Sequence, residues 1–209
     1  MARMDPAAVV RAGYDAIGPR YHEWSSADPV RIAYVTRLLA MLAPGSTVLE
    51  LGCGPGDPAT RLLSAAHRVV GVDLSSGQLA LARGHAPDAL LVQADMTRLA
   101  VRPASVDAIA SFFALGHLPA AAHAPLLASF GGWLRPGGVL MTTVPVTPED
   151  GMVEQGWLGV PMFFGGIGRA ATLAAVESGG LVVDSVEHVA EEENGRLVGF
   201  DWLVARRPQ

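Results

Sequence analysis

The chain has 209 residues, half of them hydrophobic and 17% charged, with a net charge of -5. That is the composition of one soluble globular domain with a single buried core, which excludes a disordered chain, and the acidic balance argues against a nucleic-acid partner. One cysteine, Cys53, gives neither a disulfide nor a thiolate cage, the six histidines form no His-Glu-x-x-His pattern, and no apolar run is long enough to span a membrane.

Residues 1–10 lack the long apolar centre of a signal peptide, so a reducing cytoplasm is expected. Apolar residues recur at helical spacing over 5–18 and 27–43, each stretch opened by an Asp-Pro pair, Asp5-Pro6 and Asp28-Pro29. Short β-branched runs then alternate with Ala- and Leu-rich stretches. The spacing predicts strands at 47–51, 68–73, 89–94, 106–111, 138–144, 181–190 and 197–206. Alternation of this kind predicts a mainly parallel sheet with helices on both faces. The last two runs flank Asn194-Gly195, a hairpin signal, and should pair antiparallel. Residues 146–170 are rich in Pro, Gly and aromatic side chains and read as a long functional loop.

The stretch Val48-Leu49-Glu50-Leu51-Gly52-Cys53-Gly54-Pro55-Gly56 is an apolar strand that breaks into three alternating glycines. A turn of this kind lets the backbone approach a ligand closely, although a plain strand-to-helix turn would also use glycine. Its Gly-x-Gly-x-Gly spacing is one residue tighter than that of dinucleotide binders. Asp57-Pro58 is placed to cap the following helix. The next strand ends in Asp73, where a carboxylate accepts from ribose hydroxyls or caps the helix near Ser75-Ser76. The third ends at Asp95-Met96, suited to an adenine or to a simple turn. Three consecutive strands thus end in acids on one edge of the sheet, where open α/β sheets bind ligands.

Together with Ser111-Phe112-Phe113-Ala114-Leu115-Gly116-His117-Leu118-Pro119 and Trp133-Leu134-Arg135-Pro136-Gly137-Gly138, these motifs give a chain that resembles the class I S-adenosylmethionine-dependent methyltransferases that act on small molecules. The resemblance covers residues 48–144. It implies a Rossmann-like three-layer sandwich, with seven strands mostly parallel and a C-terminal antiparallel hairpin. It also implies one domain over 1–209: a helical lid at 1–43, a cofactor core at 44–145, an acceptor-side loop at 146–170 and a C-terminal helix and hairpin at 171–209. The expected cofactor is S-adenosyl-L-methionine, released as S-adenosyl-L-homocysteine. By resemblance Glu50 and the glycine loop Gly52, Cys53, Gly54 and Gly56 hold its methionine part, Asp73 its ribose, and Asp95 with Met96 its adenine, with Leu74, Gln78 and Ala94 also expected at the cofactor. Ser111 and Phe112 complete that site, and the Trp-Leu-Arg-Pro-Gly-Gly motif makes the turn into the fifth strand.

Methyl transfer gains much of its rate from positioning, and a base helps only where the acceptor must lose a proton. His117, just beyond the fourth strand, is the candidate base and a candidate acceptor contact; its alternative role is to hold its loop by a hydrogen bond. His123, in an alanine-rich stretch, reads as an exposed helical residue. Tyr14 and Tyr21 are placed on the lid against the cofactor, or are packing contacts. Trp24, Met162, Phe163 and Phe164 are the expected acceptor wall. Similar enzymes carry Ser-His after the aromatic pair, whereas this chain has Gly165-Gly166, which would make room for a bulkier acceptor.

The expected reaction is methyl transfer to an O, N or C atom of a small organic molecule, with neither nucleic acid nor membrane as partner. One alternative is a methyltransferase-like protein with a changed role, a cyclase or a binding module. The other is an NAD(P)-dependent oxidoreductase, for which the expected Tyr-x-x-x-Lys is missing from a chain that contains no lysine.

Overall fold

The computed structural model describes residues 4–193 and 196–209. Helix α1 runs Pro6–Ser25 and α2 runs Pro29–Met41. Asp5 accepts a hydrogen bond from the Ala7 amide at 3.1 Å, and Asp28 from those of Val30 and Arg31 at 2.8 and 3.2 Å. In both helices proline takes the first turn, where its missing N–H costs nothing. α1 extends past the expected end at residue 18 and bends there. Gly18 has φ 4° and ψ -93°, because the ring of Pro19 removes a helical hydrogen bond and displaces the residue before it. The part beyond the bend carries Tyr21 and Trp24.

The remaining elements are β1 (Thr47–Leu51), α3 (Ala59–Ser64), β2 (Arg68–Asp73), α4 (Ser76–His85), β3 (Leu90–Gln93), β4 (Val106–Ser111), α5 (Ala120–Trp133), β5 (Leu134–Pro145), β6 (Pro148–Trp157), β7 (Val160–Ile167), α6 (Gly168–Ser178), β8 (Val182–Glu193) and β9 (Arg196–Arg206). Seven strands form one sheet in the order β3-β2-β1-β4-β5-β9-β8. The first five are parallel, and β9 runs antiparallel to both β5 and β8. The Asn194-Gly195 turn lies outside the described residues.

Leu49, Leu51, Ile109 and Leu140 pack with Leu127, Phe130 and Val176 of α5 and α6 on one face of the sheet. Val48, Val69, Ala108 and Met141 pack with Val35, Leu38 and Leu63 of α2 and α3 on the other. Adjacent strand residues therefore serve opposite cores, which is why these strands read as continuous apolar runs. A third cluster, including Val10, Ile17, Tyr21, Trp157, Met162 and Phe163, joins α1 to the segment after β5.

That segment departs from expectation: 146–170 is mostly the antiparallel pair β6 and β7, which bond to each other and stand apart from the main sheet. Three smaller corrections follow. Asp57 does not cap α3, which begins after Pro58 without a side-chain cap; it accepts instead from the Arg61 Nε at 2.7 Å and pairs with the His22 Nε2 at 3.0 Å. His123 is buried, not exposed, and its Nε2 meets the Leu118 carbonyl at 3.2 Å. The Arg135 to Gly138 stretch lies inside β5 as an irregularity, since Val106 pairs with Leu134 and Ala108 with Val139.

Candidate functional site

The loop after β1 is tied to β2 through the Gly52 and Cys53 amides, which both donate to the Val72 carbonyl, at 2.8 and 3.0 Å. The carboxylate of Asp73 accepts from the Gly54 amide through Oδ2 and from the Ser75 amide through Oδ1, each at 2.8 Å. Gly52, Gly54 and Gly56 all have positive φ, but their surroundings differ. A Cβ at Gly52 would lie 2.2 Å from the Ala114 Cβ, and one at Gly56 would lie 3.0 Å from Ala82. At Gly54 a Cβ would meet only the Tyr21 ring, at 3.7 Å, so the clearance available to a ligand belongs to that glycine.

Beside this loop is a cavity of about 230 Å³. Its walls include Gly52, Gly54, Asp73, Leu74, Ala94, Asp95, Met96 and Phe112 from the strand ends, with Val10, Tyr14 and Tyr21 from α1. Asp95 also closes its own turn, accepting from the Thr97 amide at 2.9 Å and hydroxyl at 2.7 Å. Five expected cofactor residues stand behind the wall. Cys53 and Gly56 are buried in packing. The Ser111 hydroxyl donates to the Leu51 carbonyl at 3.0 Å, and Gln78 donates from Nε2 to the Tyr14 carbonyl at 3.3 Å. Glu50 is 2% exposed, near Arg31 and Thr60, and burial pushes its carboxyl up to about 7. Burial likewise pushes Asp73 up to about 6, against the Ser75 and Gly54 amides, which favour its charged form. An open glycine cradle facing a half-buried carboxylate and an apolar base slot is a donor set that fits a nucleoside.

A second cavity, of about 740 Å³, lies on the other side of Tyr14. Tyr21, Trp24, Phe113, Trp157 and Phe164 give it aromatic walls, and its charged groups are Asp28, Arg31, Glu149 and Glu154. The Arg31 guanidinium stacks over Phe113 at 4.7 Å, with its Nε 3.6 Å from Asp28. Met162 and Phe163, expected on the acceptor wall, are buried against α1. Nor do Gly165 and Gly166 open space for an acceptor: a Cβ at Gly165 would lie 2.4 Å from the Leu118 carbonyl oxygen, and one at Gly166 would lie 3.0 Å from Pro145. The protein itself fills that room.

Tyr14, Tyr21, Phe113 and His117 line both cavities. Phe113 holds φ 58°, a conformation costly for a residue with a side chain, and its amide donates to the Thr143 hydroxyl at 2.5 Å. The His117 Nδ1 lies 2.9 Å from the Phe163 carbonyl, and its Nε2 lies 2.8 Å from the Tyr14 hydroxyl. A carbonyl only accepts, so Nδ1 carries a proton. Burial pushes the imidazolium down to about 4, so the ring is neutral near pH 7 and the bare Nε2 accepts from Tyr14. Phe113 and Arg31 were not legible as site residues. A positive φ at a phenylalanine has no sequence signal, and Arg31 stands one turn into α2, where it reads as helix surface.

Fold and site together define an α/β protein that presents a nucleoside-sized slot beside a larger aromatic chamber. Residues 48–138 match a methyltransferase domain family model. The chain is 30% identical over 148 residues to a ubiquinone biosynthesis O-methyltransferase from Xanthomonas campestris pv. campestris, an alignment covering 68% of this chain and 60% of the relative. It is 41% identical over 106 residues to a trans-aconitate 2-methyltransferase from Azoarcus sp., covering 50% and 41% of the two chains. The chain thus spans about 60% or less of these curated relatives' length. Its fold matches a magnesium protoporphyrin IX methyltransferase from Synechocystis solved with bound S-adenosylhomocysteine, with a TM-score of 0.71, 16% identity and coverage of 97% and 100%. Residues 48–138 thus carry a methyltransferase-like domain, in a fold shared with solved S-adenosylmethionine-dependent methyltransferases. Among the described residues no helix is long and apolar enough to cross a membrane.

Proposed function

We propose that the chain transfers a methyl group from S-adenosylmethionine to an O, N or C atom of a small organic acceptor, mainly by positioning, with general-base help from His117. The observation that carries this reading is the shared wall: two cavities, one suited to a nucleoside and one to an apolar acceptor, meet across Tyr14, Tyr21, Phe113 and His117. Within the proposal Gly54 and its neighbours hold the methionine portion, Asp73 the ribose and Asp95 with Met96 the adenine, while α1 acts as the lid. The bound cofactor supplies a methyl group made electrophilic by a sulfonium. The side chains of the wall orient the acceptor, exclude water and settle its proton.

The relatives named for O-methyl transfer and for trans-aconitate support a small-molecule acceptor. The net charge of -5 and the aromatic chamber favour the same choice over nucleic acid. The single buried cysteine suits a reducing cytoplasm. Calorimetric titration is expected to show binding of S-adenosylhomocysteine and none of NAD, and labelled methyl transfer to a small-molecule panel completes the test. Binding of NAD alone would overturn the reading; tight cofactor binding with no transfer to any acceptor would favour a changed role.

A further inference from the structure

We propose that Tyr14 receives the acceptor's proton while passing its own to His117, and that the acceptor atom is the oxygen of a neutral hydroxyl on a planar, largely apolar molecule. The proposal rests on the methyl-transfer reading above. It starts from the geometry of His117, whose one basic lone pair, on Nε2, is already engaged by the Tyr14 hydroxyl at 2.8 Å. A base acting from this position reaches the acceptor through the Tyr14 oxygen. Tyr14 stands on the wall common to both cavities, with its ring 5.0 Å from that of Tyr21 and 5.8 Å from that of Trp157.

The step balances. As the acceptor oxygen bonds to the methyl carbon, the broken C–S pair stays on sulfur and the O–H pair stays on oxygen. The proton released goes to the Tyr14 oxygen, and Tyr14's own proton goes to the His117 Nε2. One positive charge leaves the wall and one appears on the imidazole, so the buried junction never holds two. Burial that would prevent His117 from carrying a proton beside another cation tolerates the exchange.

The relay also selects the acceptor. A carboxylate is ionised before it binds and has no proton to give. An ammonium has no lone pair until its proton has left, and a neutral histidine of depressed basicity does not remove it beforehand. A hydroxyl keeps a lone pair while its proton departs, so bond formation and proton transfer run together. Glu149 and Glu154 on β6 oppose a bound anion, and Arg31 is engaged by Asp28 and Phe113. The flat faces of Trp24, Trp157 and Phe164 suit a ring.

Two measurements test this. ¹⁵N NMR of the protein bound to S-adenosylhomocysteine is expected to show His117 protonated at Nδ1 and bare at Nε2, with Tyr14→Phe moving the Nε2 resonance; a proton on Nε2 in the unmutated protein overturns the relay whatever the acceptor. The second uses ring-substituted phenols and catechols of graded acidity, beside carboxylic acids and amines, with labelled S-adenosylmethionine. Methyl transfer is expected to the hydroxyls. Tyr14→Phe should lower kcat about 100-fold for the least acidic phenols, and the deficit should shrink as the phenol's pKa falls or the pH passes it. The cofactor Kd should stay within about threefold, since the ring remains.

Asp28, Arg31, Glu149 and Glu154 line the acceptor side, and Asp5, Asp73, Asp95 and Arg98 the cofactor side. These groups are the same in both proteins, so the difference between the two pH profiles isolates Tyr14. A deficit uniform across the phenol series means a structural role and overturns the relay. Transfer only to carboxylates or amines overturns the acceptor class. Transfer to nothing, with the cofactor bound, defeats the methyl-transfer reading itself and this proposal with it.

Discussion

Around the smaller cavity, Gly54, Asp73 and Asp95 follow directly on three neighbouring parallel strands, each within a few residues of a β-branched run. Around the larger one, Tyr14 and Arg31 come from the two N-terminal helices, and Trp157 and Phe164 from a hairpin outside the main sheet. The first side is held by backbone: the glycine loop is tied to the Val72 carbonyl and to the Asp73 carboxylate. The second is held by side chains, through an aromatic cluster and the contacts of one histidine. A site assembled in this way keeps its glycine loop and strand-end acids in place wherever the sheet forms, whereas the larger cavity, and the α1 wall that both cavities share, depend on α1 and the hairpin docking together.

This contrast can be broken or sharpened by measurement. The largest effect is expected from Asp73→Ala, which should weaken S-adenosylhomocysteine binding by about 1.5–3 kcal/mol and leave the acceptor chamber intact; an unchanged Kd in calorimetry would reject Asp73 as a cofactor ligand. Gly165→Ala should act first on the packing of the hairpin, since its Cβ would lie 2.4 Å from the Leu118 carbonyl that His123 also meets. A loss of about 1–3 kcal/mol in urea unfolding is expected for such overpacking, and a variant as stable as the parent would show that the hairpin yields.

Next comes pH. Burial pushes Asp73 up to about 6, so below that pH it is increasingly protonated and, as the proposed ribose ligand, would no longer accept from both hydroxyls. Cofactor affinity should therefore rise with pH and level off above about 6, weakening toward tenfold per unit below it, or about 1.4 kcal/mol. A flat profile from pH 5 to 7 would show that Asp73 stays ionised in the free protein. The smallest effect is expected from His22→Ala, which removes a half-buried pair with Asp57 at 3.0 Å and a stack on His85 at 4.2 Å. A cost of about 0.2–1 kcal/mol in thermal unfolding is in keeping with such contacts; a larger loss would make this joint a main support of α1 on the glycine loop.

The same contrast governs how much could be read in advance. The central strands β1, β4 and β5 were legible because each is buried on both faces over most of its length and writes a continuous apolar run, whereas the largely exposed edge strands β3 and β8 were legible from the alternation of elements and the hairpin signal. The hairpin was not. β6 carries Pro148, Glu149, Asp150 and Gly151 in succession and is exposed over most of its length, so it shows no period of two and looks like a loop. His123 misled for the opposite reason: its neighbours in α5 are alanines, which offer no polar contrast to reveal which side is buried. On the cofactor side the expected residues cluster as read, apart from those such as Glu50 and Ser111 that stand behind the wall. On the acceptor side the decisive contact, Tyr14 to His117, joins residues 103 positions apart, and local pattern carries no trace of it.

Because β6 and β7 bond to each other and, among the described residues, to no strand of the main sheet, they form a cassette between β5 and α6. For protein engineering, the larger chamber can be recut by exchanging residues 148–167 without breaking a ladder of the main sheet. One thread limits that freedom. The Phe163 carbonyl fixes the proton on His117, so a replacement hairpin must return a backbone acceptor to the same point, whatever side chains it brings.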